Sequence, residues 1–195
     1  MIPPRQLTAG ALAVLFAIGA IGGLIGDMCH VESGTTRYLE DPLPYVWRSQ
    51  LWFPVVVGAG TAALGWLRLR LAAVEPPTTG RVRDGAAMIA AVVGLYALTA
   101  LVRGEPQAPS IVLVYALAAL ICASFARSPA DLICGGLAAI FGVGGEIVLS
   151  AAGTFEYADD VSQLAGVASW LPALYVAFGV VAARLGELMA RSRSG

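Results

Sequence analysis

The sequence predicts an all-α membrane protein, a bundle of six transmembrane helices with both termini cytoplasmic. Three observations predict it. Of 195 residues, 58% are hydrophobic and only 13% charged, with a mean hydropathy of +0.77, a balance that a soluble domain of this size has no interior large enough to hide. The apolar residues gather into six runs, each about the 20 residues that a helix needs to cross a bilayer core. The arginines fall unevenly on the segments between the runs.

The runs lie near 7–26, 50–68, 85–102, 109–126, 130–153 and 164–189, in one transmembrane domain spanning 1–195. The first follows Arg5, as a signal peptide would, but is too long for a typical signal core and is expected to be a retained helix. Its GAIGGLIG segment places Gly19 and Gly23, then Gly22 and Gly26, four apart on one face, where a neighbouring backbone can come close. The second and sixth runs carry Pro54 and Pro172 in their first turns, where a missing N–H costs little but the helix axis can bend. The fifth run holds Gly135, Gly136, Gly142, Gly144 and Gly145, and a lone deep carboxylate, Glu146. The glycine faces suit tight packing within one chain and also a homo-oligomer contact. Breakers separate the runs: EDPLP, EPPTTG, GEPQAP, RSPAD and TFEYADDVSQ.

All twelve basic residues are Arg, which together with the weight of Ala, Gly and Val reads as a GC-rich, bacterial source, and hence the inner (plasma) membrane. With the N-terminus inside, nine arginines (Arg5, Arg68, Arg70, Arg81, Arg83, Arg127, Arg184, Arg191, Arg193) face the cytoplasm and three (Arg37, Arg48, Arg103) face out, as the positive-inside rule requires. The near-neutral net charge of −1 offers no basic face for nucleic acid. Cys29, Cys122 and Cys134 show no disulfide or zinc spacing and read as small apolar filler. Asp27, His30 and Glu32 in GDMCHVE lack a metal-ligand spacing and are expected to be polar residues of an outer loop, so no metal is predicted. No nucleophile, base and metal combine into a catalytic set, and a non-enzyme is expected.

Glu146 lies about 6 Å beyond the middle of its helix, still in hydrocarbon, so it must face inward. There it lines a cavity, pairs with a polar neighbour, or couples to protons. Other deep polar groups are few: Thr61, Tyr96, Thr99, Tyr115, Ser124, Ser150 and Tyr175. Such an interior suits an amphiphile with a small uncharged head, a sterol, diacylglycerol or prenol, and lacks the deep Arg that a phosphate needs. For each hydroxyl, a bond to the carbonyl four residues back is the plainer role. Trp47, Trp52, Trp66 and Trp170 fall near the membrane interfaces, and Trp52 and Trp170 also suit a pocket mouth.

Several of these residues stand in a pattern that resembles the Insig family. SWLPALYVAFGVVAARLGEL is similar to its S-W-L-P run, through Ser169, Trp170, Leu171, Pro172, Gly179, Val180 and Gly186; FEY at 155–157 resembles its Y-Q-Y. WFPVVVG matches W-V-P and a following glycine through Trp52, Pro54 and Gly58. VGLYALTA matches V-G-I-x-x-x-S-A through Gly94 and Thr99, and Phe125, Arg127 and Ser128 match F-x-R-S. The resemblance covers runs two to six. It implies an Insig-like bundle with a cavity for an oxysterol-like lipid, no cofactor beyond that lipid, and in eukaryotic members regulated retention of Scap and degradation of hydroxymethylglutaryl-CoA reductase. The family's F-D-R-S aspartate serves Scap engagement; this chain has Ala126 there, which has no acceptor, so a Scap-type partner is not carried over. The absence of lysine removes side-chain amine ubiquitination as well.

The expected ligand-contacting residues are therefore Glu146, Trp52, Pro54, Gly58, Tyr96, Thr99, Ser150, Trp170, Pro172 and Tyr175, with Gly19, Gly22, Gly23, Gly26, Gly179 and Gly186 packing helices. The expected function is a non-enzymatic lipid sensor or binder. The alternative is a small proton-coupled transporter or transporter subunit using Glu146, although runs 1–3 and 4–6 show no internal repeat. A third reading is an assembly subunit held by its glycine faces.

Overall fold

A computed structural model describes residues 5–39, 44–71 and 81–192; the EPPTTG breaker, most of EDPLP and Arg193 lie outside them. The six helices are α1 (Ala9–Ser33), α2 (Trp52–Leu71), α3 (Arg81–Leu101), α4 (Gln107–Phe125), α5 (Pro129–Ala151) and α6 (Leu171–Met189). All are long and apolar enough to span a membrane. Three antiparallel strand pairs link them: β1 (Arg5–Gln6) with β6 (Arg191–Ser192), β2 (Thr36–Tyr38) with β5 (Phe155–Tyr157), and β3 (Tyr45–Val46) with β4 (Ser49–Gln50). The first pair brings Arg5–Gln6 against Arg191–Ser192, so the first and last described residues lie at one end of the bundle, here the terminal end. The second caps the opposite end.

Local chemistry sets the helix ends. Thr8 accepts a hydrogen bond from the Ala11 N–H at the start of α1, and Gly34, with φ of 68°, closes it in the left-handed conformation that glycine adopts without strain. Asp131 reaches back from the first turn of α5 to the N–H groups of Arg127 and Ser128, at 2.8 and 2.9 Å.

Two boundaries differ from the sequence reading. The first run continues seven residues past 26, to Ser33, because Asp27 and His30 find partners inside the bundle and need not leave the helix. The sixth helix begins at Leu171 rather than 164, because Ala165 and Gly166 both take positive φ in a turn closed by Leu164 and Val167. FEY, at 155–157, lies beyond α5 and forms β5.

The central helix is α6, with 67% of its apolar window buried against at most 28% for any other. It packs on all five neighbours. The outer helices present Val112, Leu120, Ile140 and Val148 outward, as lipid-facing positions should. Glycine brings the axes together. A Cβ at Gly179 would stand 2.6 Å from the Cys134 carbonyl and 2.7 Å from the Cα of Gly135, and one at Gly186 would strike the backbone of Gly65. Gly19 faces Thr61, Gly22 faces Val93, Gly23 faces Val57 and Gly26 receives the ring of Tyr96. The glycine faces of α1 and α6 are thus occupied within one chain, as are Gly135 and Gly142 on α5, while Gly136, Gly144 and Gly145 meet nothing within 4 Å.

Candidate functional site

A cavity of about 510 Å³ lies beside α6, in the size range of small-molecule sites. Its walls come from α1, α2, α3, α5 and α6, with Phe155 of β5 at the capped end. Helix α4 contributes no described lining residue. Lining residues Val56 and Trp66 on α2 and Phe141 on α5 are also exposed to the surroundings, so the cavity opens sideways between α2 and α5. Gly60 and Gly145 beside that gap have nothing within 4 Å of where a side chain would begin. The walls are almost wholly apolar.

The polar groups sit at the capped end. Glu146 is 8% exposed and accepts hydrogen bonds at both oxygens, from Tyr157 in a very short contact and from Tyr175 at 2.6 Å. Asp27 accepts from Tyr38 at 2.7 Å. Each strand of the β2–β5 cap therefore delivers one phenol to one buried helix carboxyl group. Register explains the delivery: Thr36 pairs with Tyr157 and Tyr38 with Phe155, so Phe155 and Tyr157 point inward while Glu156 points out to an ion pair with Arg37. Burial and the neighbouring Asp27 charge raise the pKa of Tyr38, and burial and the Glu146 charge raise that of Tyr157 well above its usual value. Both phenols are held as donors.

His30 is fully buried, which corrects its placement in an outer loop. Its Nε2 lies 2.7 Å from the Thr99 hydroxyl, which itself donates to the Tyr96 carbonyl at 2.6 Å. Because that hydroxyl has one proton, the network assigns the imidazole proton to Nε2. The His30 ring meets Tyr96 and Trp170 edge-on, with centroids 4.7 and 5.4 Å away. Glu32 turns away to Arg48 and Asp27 to Tyr38, so the three residues of GDMCHVE face three different partners.

Of the ten residues expected at the ligand, Glu146, Trp52, Tyr96 and Tyr175 line the cavity, joined by Gly19, Gly22 and Gly23. The other six do not. Gly58 receives the Phe16 backbone, with a Cβ only 2.7 Å from its carbonyl, and Pro54 is buried one turn away. Thr99 serves His30, and Trp170 is 3% exposed between His30 and Tyr157. Ser150 donates to the Gly166 carbonyl at 3.4 Å, and Pro172 starts α6. Thr61 takes the plainer role, donating to the Val57 carbonyl at 2.8 Å.

At the terminal end stands a second buried polar group. Arg68, one of the arginines that the sequence assigns to the cytoplasmic side, lies inside α2 and is 2% exposed. Its Nε lies 2.6 Å from Asp131 Oδ1 of α5 and its Nη2 3.3 Å from Glu187 Oε1 of α6, while Arg184 also pairs with Glu187. Neither partner was singled out from sequence, because they lie 63 and 119 positions away.

No family model matches the chain. The Insig protein homolog of Mycolicibacterium vanbaalenii is 46% identical over 188 residues, covering 96% of this chain and 91% of that protein. The chain belongs to the Insig family. The bundle agrees: the 1.9 Å crystal structure of a mycobacterial Insig homolog from Mycobacterium vanbaalenii superposes with a TM-score of 0.90 at 45% identity, over 94% of this chain and 96% of that one. A cross-linked trimer of a cysteine variant of the same homolog superposes equally, at 0.90 and 44% identity. This Insig chain is accordingly a multi-pass membrane protein with the six-helix Insig architecture.

Proposed function

We propose that the protein binds one neutral amphipathic lipid, such as a sterol, diacylglycerol or prenol, in the cavity beside α6, as a regulatory and non-enzymatic membrane protein. The observation that carries this reading is the cavity itself: about 510 Å³, apolar walls, a polar end, and an opening between α2 and α5 that faces the bilayer. A lipid enters such a site tail-last from the membrane without passing through water. Occupancy shifts the bundle between conformations to the extent that the lipid binds them differently. The proposed setting is the bacterial plasma membrane with both termini cytoplasmic. Nine arginines less the buried Arg68 still leave eight against three. The trimer recorded for the mycobacterial homolog supports a homo-oligomer here. Ala126 keeps a Scap-type partner out of the proposal.

Mass spectrometry of organic extracts from gently purified protein tests it, with an unrelated membrane protein from the same cells as reference. A stoichiometric neutral amphiphile is expected; bulk phospholipid alone, together with no thermal stabilisation by any sterol, diglyceride or prenol, rejects the proposal.

A proton-coupled carrier needs a carboxyl group free to exchange with its path, whereas both oxygens of Glu146 are engaged by tyrosines. Glu146→Gln separates the readings. It abolishes transport in a proton-driven carrier and leaves a lipid binder folded and loaded.

A further inference from the structure

We infer that Tyr96 is the residue that reads the ligand's head group, and that it selects neutral lipids carrying one free hydroxyl over both fully esterified and anionic ones. The inference rests on the lipid-binding reading above and sharpens it to one atom. Six polar side chains line the cavity wall: Trp52, Thr61, Trp66, Tyr96, Glu146 and Tyr175. Trp66 is 47% exposed at the terminal end of α2, with Arg70 over its ring, far from the acidic end. Four of the others are already engaged. Trp52 Nε1 donates to Gln50 at 2.6 Å, Thr61 to the Val57 carbonyl, and Tyr175 to Glu146, whose second oxygen takes Tyr157. The Tyr96 hydroxyl makes no hydrogen bond to any described residue.

Its position is held on two sides. The ring lies where a side chain at Gly26 would be, and His30 meets it edge-on at 4.7 Å, so Tyr96 cannot swing away to find another partner. The phenol is also within electrostatic reach of Asp27 and Glu146.

Two kinds of head group follow as poor fits. A carboxylate or phosphate brings negative charge into an apolar chamber whose described lining has no Arg or His and does include an acidic residue. An ester or ether has no proton to donate to the Tyr96 oxygen, and the carbon that replaces that proton stands where the phenol must approach. A hydroxyl can donate to that oxygen or accept its proton, as donor and acceptor on one atom.

Affinities of the purified protein for dioctanoylglycerol, its O-acetylated analogue and dioctanoyl phosphatidic acid, measured in micelles by native mass spectrometry, test this. Dioctanoylglycerol is expected to bind about tenfold tighter than the acetylated analogue, the ratio that one hydrogen bond sustains, and phosphatidic acid weakest of the three. Tyr96→Phe should collapse the first ratio to near one while holding the acetylated analogue as wild type does, which also shows that the variant is folded. Equal binding of the three lipids by the wild type, or a ratio unchanged in Tyr96→Phe, overturns the inference and leaves the lipid-binding reading standing. Binding of none overturns both.

Discussion

Gly179 and Gly186 sit where α6 touches α5 and α2 backbone to backbone, with no flexible side chain to yield. Gly179→Val or Gly186→Val must therefore separate helix axes, at a cost of about 1–3 kcal/mol or more by comparison with overpacked cores. A clear fall in melting temperature is expected for both, and little change for Gly60→Ala, which meets nothing within 4 Å. Glu146→Gln belongs to the same scale. Its amide oxygen still accepts one tyrosine proton, and the second phenol can turn to accept from the amide nitrogen, so the variant should fold with only a modest loss of thermal stability. Failure of Glu146→Gln to fold would show that its charge, and not its hydrogen-bonding, holds the capped end.

The β2–β5 cap is too short to hold itself, since two three-residue strands make no independent sheet. Two phenol-to-carboxyl bonds pin it, one per strand. Tyr38→Phe and Tyr157→Phe each leave a buried carboxyl group short of a donor, which costs about 1–3 kcal/mol. Faster amide hydrogen exchange over 36–38 and 155–157 is the expected readout, with exchange in the middle of α6 unchanged. The raised pKa of both tyrosines adds a pH dependence. Their contribution is present in full below about pH 10, where an unfolded tyrosine ionises, and is lost as pH rises above it. Cap exchange, once corrected for intrinsic rates, should rise beyond that point.

At the scale of the molecule, polar clusters close both ends of an apolar chamber. The terminal end is tied by Arg68, which joins α2 to α5 and α6, while the wall between α2 and α5 stays open farther up. Arg68→Met leaves Asp131 and Glu187 without that cation, and breaking a buried pair in this way costs about 3–5 kcal/mol. Loss of the folded protein from detergent extracts, or a large fall in melting temperature, is expected. An unchanged melting temperature would mean that Arg184 alone compensates Glu187, and that the capping bonds of Asp131 suffice for it.

Much of this architecture was legible along the chain. Length and apolarity of each run are local properties, so the number of helices and four of the six spans came out within a few residues. The glycine pairs of α1 and the Gly179 and Gly186 positions could be read as close contacts because spacing on a helix is local too. The late end of α1 and the burial of Arg68 share one cause. Asp27, His30 and Arg68 look like loop residues because a polar side chain belongs in water unless a partner waits inside, and their partners Tyr38, Thr99 and Asp131 stand on other elements. The same limit governed the site. Glu146 and the need for it to face inward follow from sequence, since hydrocarbon penalises a lone charge wherever the helix is placed. Which tyrosines satisfy it, that Thr99 and Trp170 serve His30 instead of the cavity, and that Tyr96 alone among the lining polar groups keeps a free hydroxyl were decided only when the helices packed, because hydrogen bonds form between neighbours in space and the chain records neighbours in order.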